Sequence, residues 1–166
     1  MGAIGPAMTH QGGAYVNAID LLEDDHRKVK KMLAEGEETT ERAEVTRSAL
    51  YATLRREMEA HERIEEEIFY PALKAHPRAR DIVLEGFEEH HVVDEIMGEL
   101  GETDVTDETW AAKFKVMKEN IEHHIDEEEG EMFSEARKAF EHDELEALGA
   151  RMLELKQLSL QATARG

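Results

Sequence analysis

The chain has 166 residues, three prolines, no cysteine and a formal net charge of −19, with 40% hydrophobic, 36% charged and 5% aromatic residues. That length fits one domain with one core, and that composition suits a helical bundle rather than a sandwich or barrel. With no clustered lysine or arginine, the charge argues against nucleic-acid and anionic-lipid partners; without cysteine there is no disulfide or thiolate chemistry, so any metal must be held by nitrogen and oxygen, which favours iron, manganese or zinc.

The opening MGAIGPAMTH has neither a basic n-region nor a long apolar run, and no stretch reaches the roughly 18 apolar residues of a membrane span. A soluble, cytoplasmic protein without a membrane partner is the expectation. Residues 1–16, glycine-rich and without apolar period, predict a flexible arm. From Asn17, an N-cap candidate, Ile19, Leu22, His26, Val29 and Leu33 mark one face of a first helix ending near Gly36. A second helix runs from about Thr39 to Leu73, with Val45, Leu50, Leu54, Met58, His61, Glu65 and Ile68 on one side; Pro71 falls near its end and Pro77 stops it. The third spans about Arg78 to Leu100, with Val83, Phe87, His90, Val93, Met97 and Leu100 inward and Gly101 as terminator. After the polar segment from Glu102 to Asp107, a fourth helix runs to about Ala139 with Phe114, Met117, Ile121, His124, Glu128 and Met132 in register. A fifth, from about Asp143 to Leu160, carries Leu145, Leu148, Met152, Leu155 and Leu158. The fold class is therefore all-α: an antiparallel up-down four-helix bundle over residues 17–140, with an additional C-terminal helix in 141–166 packed on the bundle or on a partner.

One pattern occurs twice. A histidine on an apolar helix face is followed 34 or 35 residues later by His-x3-Glu: His26 with His61 and Glu65, then His90 with His124 and Glu128. Positions i and i+4 stack on one helix face with Cβ atoms roughly 5 to 6 Å apart, so each pair can grip one metal, and two facing hairpins would enclose a dinuclear site. Burying four imidazoles and two carboxylates costs several kcal/mol per ion unless they pair or bind a cation. Two registers need choosing. His90 is preferred to His91 because Phe87, Val93 and Met97 share its stripe, and His124 with Glu128 is preferred to His123 with Glu127 because Phe133-Ser134 then aligns with Tyr70-Pro71. That alignment also supports an internal duplication. His10, His76 and His142 fall in the tail or in loops. Tyr51, three turns before His61, is a candidate for hydrogen-bonding a bound oxygen species or donating an electron.

The segments DLLEDDHRKV, HERIEEEIFYPAL, EEHHVVDEIMGEL and HHIDEEEGEMF, in this order over about residues 17 to 140, resemble the hemerythrin-like HHE cation-binding domain. The resemblance implies an antiparallel bundle around two iron ions with an oxo or hydroxo bridge, bridged also by carboxylates, that binds dioxygen or related small ligands. Manganese and zinc are less favoured. The oxygen carriers of the family have a fifth histidine, where this chain has Asp94, so two coordination positions stand open; Glu62, next to His61, or Asp94 is a candidate to fill one. The functional expectation is a non-haem diiron protein binding dioxygen, hydrogen peroxide or nitric oxide, with catalase- or peroxidase-like turnover as a candidate activity. The alternative is a non-enzymatic oxygen or iron sensor, or a storage module, acting through a partner surface. A monomer and a homodimer are both compatible with the sequence. HERIE lacks the second histidine of a zincin motif, and the i, i+4 spacing differs from the Glu-x-x-His of ferritin-like enzymes.

Overall fold

The computed structural model describes residues 17–164, so the arm expected over residues 1–16 lies outside the described residues. Helix α1 (Ala18–Glu37) is capped by Asn17, whose side-chain oxygen accepts from the Asp20 N–H at 3.0 Å. Helix α2 runs through Glu44–Ile64, a π-helical turn Glu65–Phe69 and a final stretch Tyr70–Lys74. After a 3₁₀ turn, Pro77–Ala79, helix α3 spans Arg80–Glu102. Helix α4 repeats the plan of α2: Trp110–Glu127, a π-helical turn Glu128–Met132, then Phe133–Ala139. Helix α5 (His142–Thr163) opens on a capping box between Glu141 and Glu144. The described residues contain no strand.

Two apolar layers hold the bundle. One gathers Leu22, Ile64, Phe69, Leu73, Val83, Met132 and Phe133 with Leu145, Leu148 and Met152 of α5. The other gathers Val29, Leu33, Leu54, Met58, Val93, Met97, Trp110, Phe114 and Ile121. Along α1 to α4 the buried histidines and glutamates fall between residues of these layers, so a polar slab is sandwiched in the bundle. Arg47 clamps the far end: its guanidinium donates to Val105 O (2.7 Å) and Thr39 O (3.2 Å) and sits 4.4 Å over the Trp110 ring.

Helix α5 lies against α1 and α2. Two expected core positions are corrected. Val45 is 84% exposed, because nine residues separate it from Leu54, half a turn out of phase. Leu158 is 57% exposed, and Ser159, seven residues after Met152, takes the inner position instead.

Close helix approach is bought at Gly36, where an added Cβ would overlap the Phe114 ring and come within 2.7 Å of Leu50. Gly36→Ala should therefore destabilise the fold by about 1 to 3 kcal/mol through overpacking, despite alanine's better helix propensity. Denaturant unfolding reads it; an unchanged or raised midpoint would show that the ring moves freely.

Candidate metal centre

The polar slab converges on one point. His26, His61, Glu65 and Glu128 form one group of four donors, and Glu65, His90, His124 and Glu128 form a second; within each group one donor atom per residue lies within 4.8 Å of all the others. All six residues are buried. Both groups contain Glu65 and Glu128, so each carboxylate stands between two pairs of imidazoles. Glu65 places Oε1 3.3 Å from His61 Nε2 and Oε2 3.2 Å from His90 Nε2. Glu128 Oε2 lies 3.1 Å from His26 Nε2 and 3.5 Å from His124 Nε2.

Each imidazole turns Nε2 inward and is fixed from behind by an acid at Nδ1. His61 Nδ1 meets Asp25 at 3.2 Å and His124 Nδ1 meets Glu89 at 2.6 Å. His26 Nδ1 meets Glu129 at 2.9 Å and His90 Nδ1 meets Glu66 at 3.0 Å. This is the usual support of a metal-bound histidine, since a carboxylate at one nitrogen fixes the tautomer and raises the basicity of the other. The pattern obeys the duplication: Asp25 and Glu89 each precede the first histidine of a repeat, whereas Glu66 and Glu129 each follow the glutamate.

The π-helical turns supply the remaining contacts. In each turn an N–H reaches back five residues, from Tyr70 to Glu65 O and from Phe133 to Glu128 O. The extra residue brings position i+5 round towards the face of the glutamate that starts the turn. Tyr70 stacks on His90 with ring centroids 5.3 Å apart, and Phe133 stacks on His26 at 5.7 Å. The two differ chemically, because the Tyr70 hydroxyl donates to Glu128 Oε1 at 2.6 Å and lies 3.3 Å from His90 Nε2.

Electrostatics mark the slab as a place where charge is unresolved. Burial and repulsion from Glu128 push the Glu65 carboxyl well up, while His124, His26 and His61 hold Glu128 well down against its own burial. Burial drives His61 down to about 4, whereas Glu128 and Glu129 raise His26, and Glu65 and Glu66 raise His90, both against burial. Burial also lifts Tyr70 well above its ordinary value, so its hydroxyl keeps the proton. A cation fits this donor set. His26 Nε2, His61 Nε2, both Glu65 oxygens and Glu128 Oε2 are buried without a hydrogen-bond partner, and all face the slab's centre.

Of the other candidate residues, Glu62 is buried with Oε1 lacking a partner, and burial raises its carboxyl well above the usual range. Asp94 is exposed on α3 and belongs to neither donor group. Tyr51 is placed elsewhere: its hydroxyl donates to Met97 O at 2.6 Å, and ten residues of helix put it about 15 Å along α2 from His61. Tyr70 is the tyrosine that touches the donors. His91 and His123, the competing registers, have exposed side chains.

A buried carboxylate pair shared by two imidazole pairs at the middle of an up-down bundle defines the class of four-helix metal-binding domains. The chain belongs to the hemerythrin HHE cation binding domain family, whose model matches residues 17–136. Among solved structures it is similar to a hemerythrin HHE cation binding domain-containing protein from Mycobacterium kansasii, at 28% identity and TM-score 0.78 over 89% of each chain. No curated protein matches it.

The raised pKa values of His26 and His90 predict the pH dependence of metal uptake. Below those values the rings are protonated and compete with the cation, so affinity should climb as pH rises through them and binding should release protons. Titrating ferrous iron anaerobically into the metal-free protein in weak buffer measures both. An affinity that does not change with pH, with no proton release on uptake, would contradict the raised values of these rings.

Proposed function

We propose that this chain is a non-haem diiron protein that takes dioxygen, hydrogen peroxide or nitric oxide as its small ligand and consumes peroxide. The observation that carries the reading is the pair of four-donor groups sharing Glu65 and Glu128, five of whose inward atoms are buried without a hydrogen-bond partner. In this reading His26 and His61 would hold one iron and His90 and His124 the other, with Glu65 and Glu128 common to both. Glu62 would offer a further oxygen donor from the helix of His61 and Glu65. Bound iron would supply the electrons for the chemistry of a small ligand.

The chain's own share is binding, exclusion and proton management. The apolar layers on either side of the slab keep bulk water out and limit the ligand to a few atoms. Beside the imidazoles, Tyr70 brings a hydroxyl to one of the shared carboxylates, and its hydrogen bond to Glu128 gives a route for a proton between Oη and Oε1. Gly86 makes room for that hydroxyl: a Cβ there would stand 2.9 Å from it.

Purified protein should carry close to two irons per chain, and His61→Ala or Glu128→Ala should remove most of the iron, as read by elemental analysis and visible absorption. Full iron in both variants would reject the ligand assignment. Tyr70→Phe should keep its iron and lose at least about a hundredfold in peroxide consumption, the lower end of what a positioned proton carrier contributes. Consumption that survives iron removal would reject the activity.

A further inference from the structure

The four acids behind the imidazoles differ in their own partners. Asp25, behind His61, is ion-paired with Lys156 of α5, and both side chains are largely buried. Glu129, behind His26, is paired with Lys30 of α1 at 3.4 Å. On the other side, Glu66 behind His90 and Glu89 behind His124 have no lysine or arginine partner among the described residues. Glu89's remaining basic neighbour is the exposed imidazole of His123, 3.7 Å away. The asymmetry follows from the fold. Helix α5 lies on α1 and α2 and delivers Lys156 there, while the matching face of α3 and α4 is an open groove lined by Glu85, Glu88, Glu89, Val92, Asn120 and His123.

Resting on the diiron reading, we infer that the two metal positions are unequal: the His90/His124 position binds more tightly and fills first, and Lys156 is the positioning residue that keeps the His26/His61 position weaker. A carboxylate at Nδ1–H pushes electron density through the ring towards Nε2 and strengthens the bond to a metal there. An ammonium group on that same carboxylate withdraws part of this push. It also adds a positive charge that repels the incoming cation across a poorly screened interior. Both effects have one sign, and both act on the His26/His61 side.

Cobalt(II), a redox-stable probe, distinguishes the positions when one equivalent is added to metal-free protein and the cobalt is located by anomalous diffraction. Outer partners of metal ligands typically change affinity about 10- to 100-fold; a tenfold difference would distribute one equivalent at about three to one in favour of His90/His124. Lys156→Met should bring the two occupancies towards equality, Lys156→Arg should keep the unequal distribution, and Lys30→Met should act like Lys156→Met to a smaller degree. Equal filling in the unaltered protein, or preference for the His26/His61 position, overturns the inference. Lys156→Met that leaves His26/His61 occupancy unchanged or lower also overturns it, because a lysine that merely holds Asp25 in place would act in that direction. Failure to take up two cobalt ions at saturation strikes the diiron reading instead.

Discussion

The arrangement around the middle of this bundle follows from burying six ionisable side chains in one layer. An ion moved from water into such a layer loses several kcal/mol of solvation, and only opposite charge or hydrogen bonds restore it. The chain restores it on the outside, where four acids meet the four Nδ1 atoms, and leaves His26 Nε2, His61 Nε2, both Glu65 oxygens and Glu128 Oε2 on the inside without a hydrogen-bond partner. Protons can cover part of that deficit, which is why the two shared glutamates diverge, Glu65 upward and Glu128 downward, although the repeat makes them equivalent. A cation covers it better, so metal binding and stability of the folded state are one linked quantity here.

The π-helical turns show how a helix can serve two masters. Upstream of Glu65 and Glu128, ordinary helical spacing keeps each histidine four residues away on the same face. Immediately downstream, the extra residue in the turn rotates the following segment, so that Tyr70 and Phe133 come over the imidazoles of α3 and α1 rather than facing away. Repetition in sequence thereby yields a near-twofold cage, and one substitution within it, a phenol against a phenyl, breaks its chemistry: Tyr70 brings a hydroxyl to Glu128 Oε1, and Phe133 has none to bring.

This geometry also explains what could be read in advance. The six donors were legible because His61 and His124 precede the π turns that Glu65 and Glu128 open, and His26 and His90 lie on uninterrupted α-helices, so the 3.6-residue spacing holds at all six. Tyr70 was not, since a strict helical wheel rotates it well away from Glu65, and Tyr51 looked better placed only on that wheel. The acids behind the histidines were visible in DDH, EEH and the EEE runs, yet they sit one position off the stripe. Their role depends on the neighbouring helix, which no single-helix period reports. Val45 and Leu158 failed for the simpler reason that their spacing drifts out of phase at a helix end. The position of α5 depends on tertiary packing, and its amphipathic period fits a bundle face or a partner equally well.

Helix α5 is what turns a duplicated hairpin into an asymmetric protein. By the alignment of the two His-x3-Glu pairs, Ala60 and Ile64 of α2 correspond to His123 and Glu127 of α4. The first two are buried on the helix that α5 covers, and the second two form an ion pair at 3.3 Å on the bare side. Covering one face removed the need for polar residues there but brought a lysine down onto Asp25; leaving the other face open kept its acids solvated and without such a counter-ion. Solvent reaches the outer acid Glu89 but scarcely Asp25, so screening of the charge behind each imidazole differs between the halves as well. A cage whose inner donors are nearly symmetric is thus set in an electrostatic surround that is not, and the inequality originates outside the ligand set, in which helix pair the last helix chose to cover.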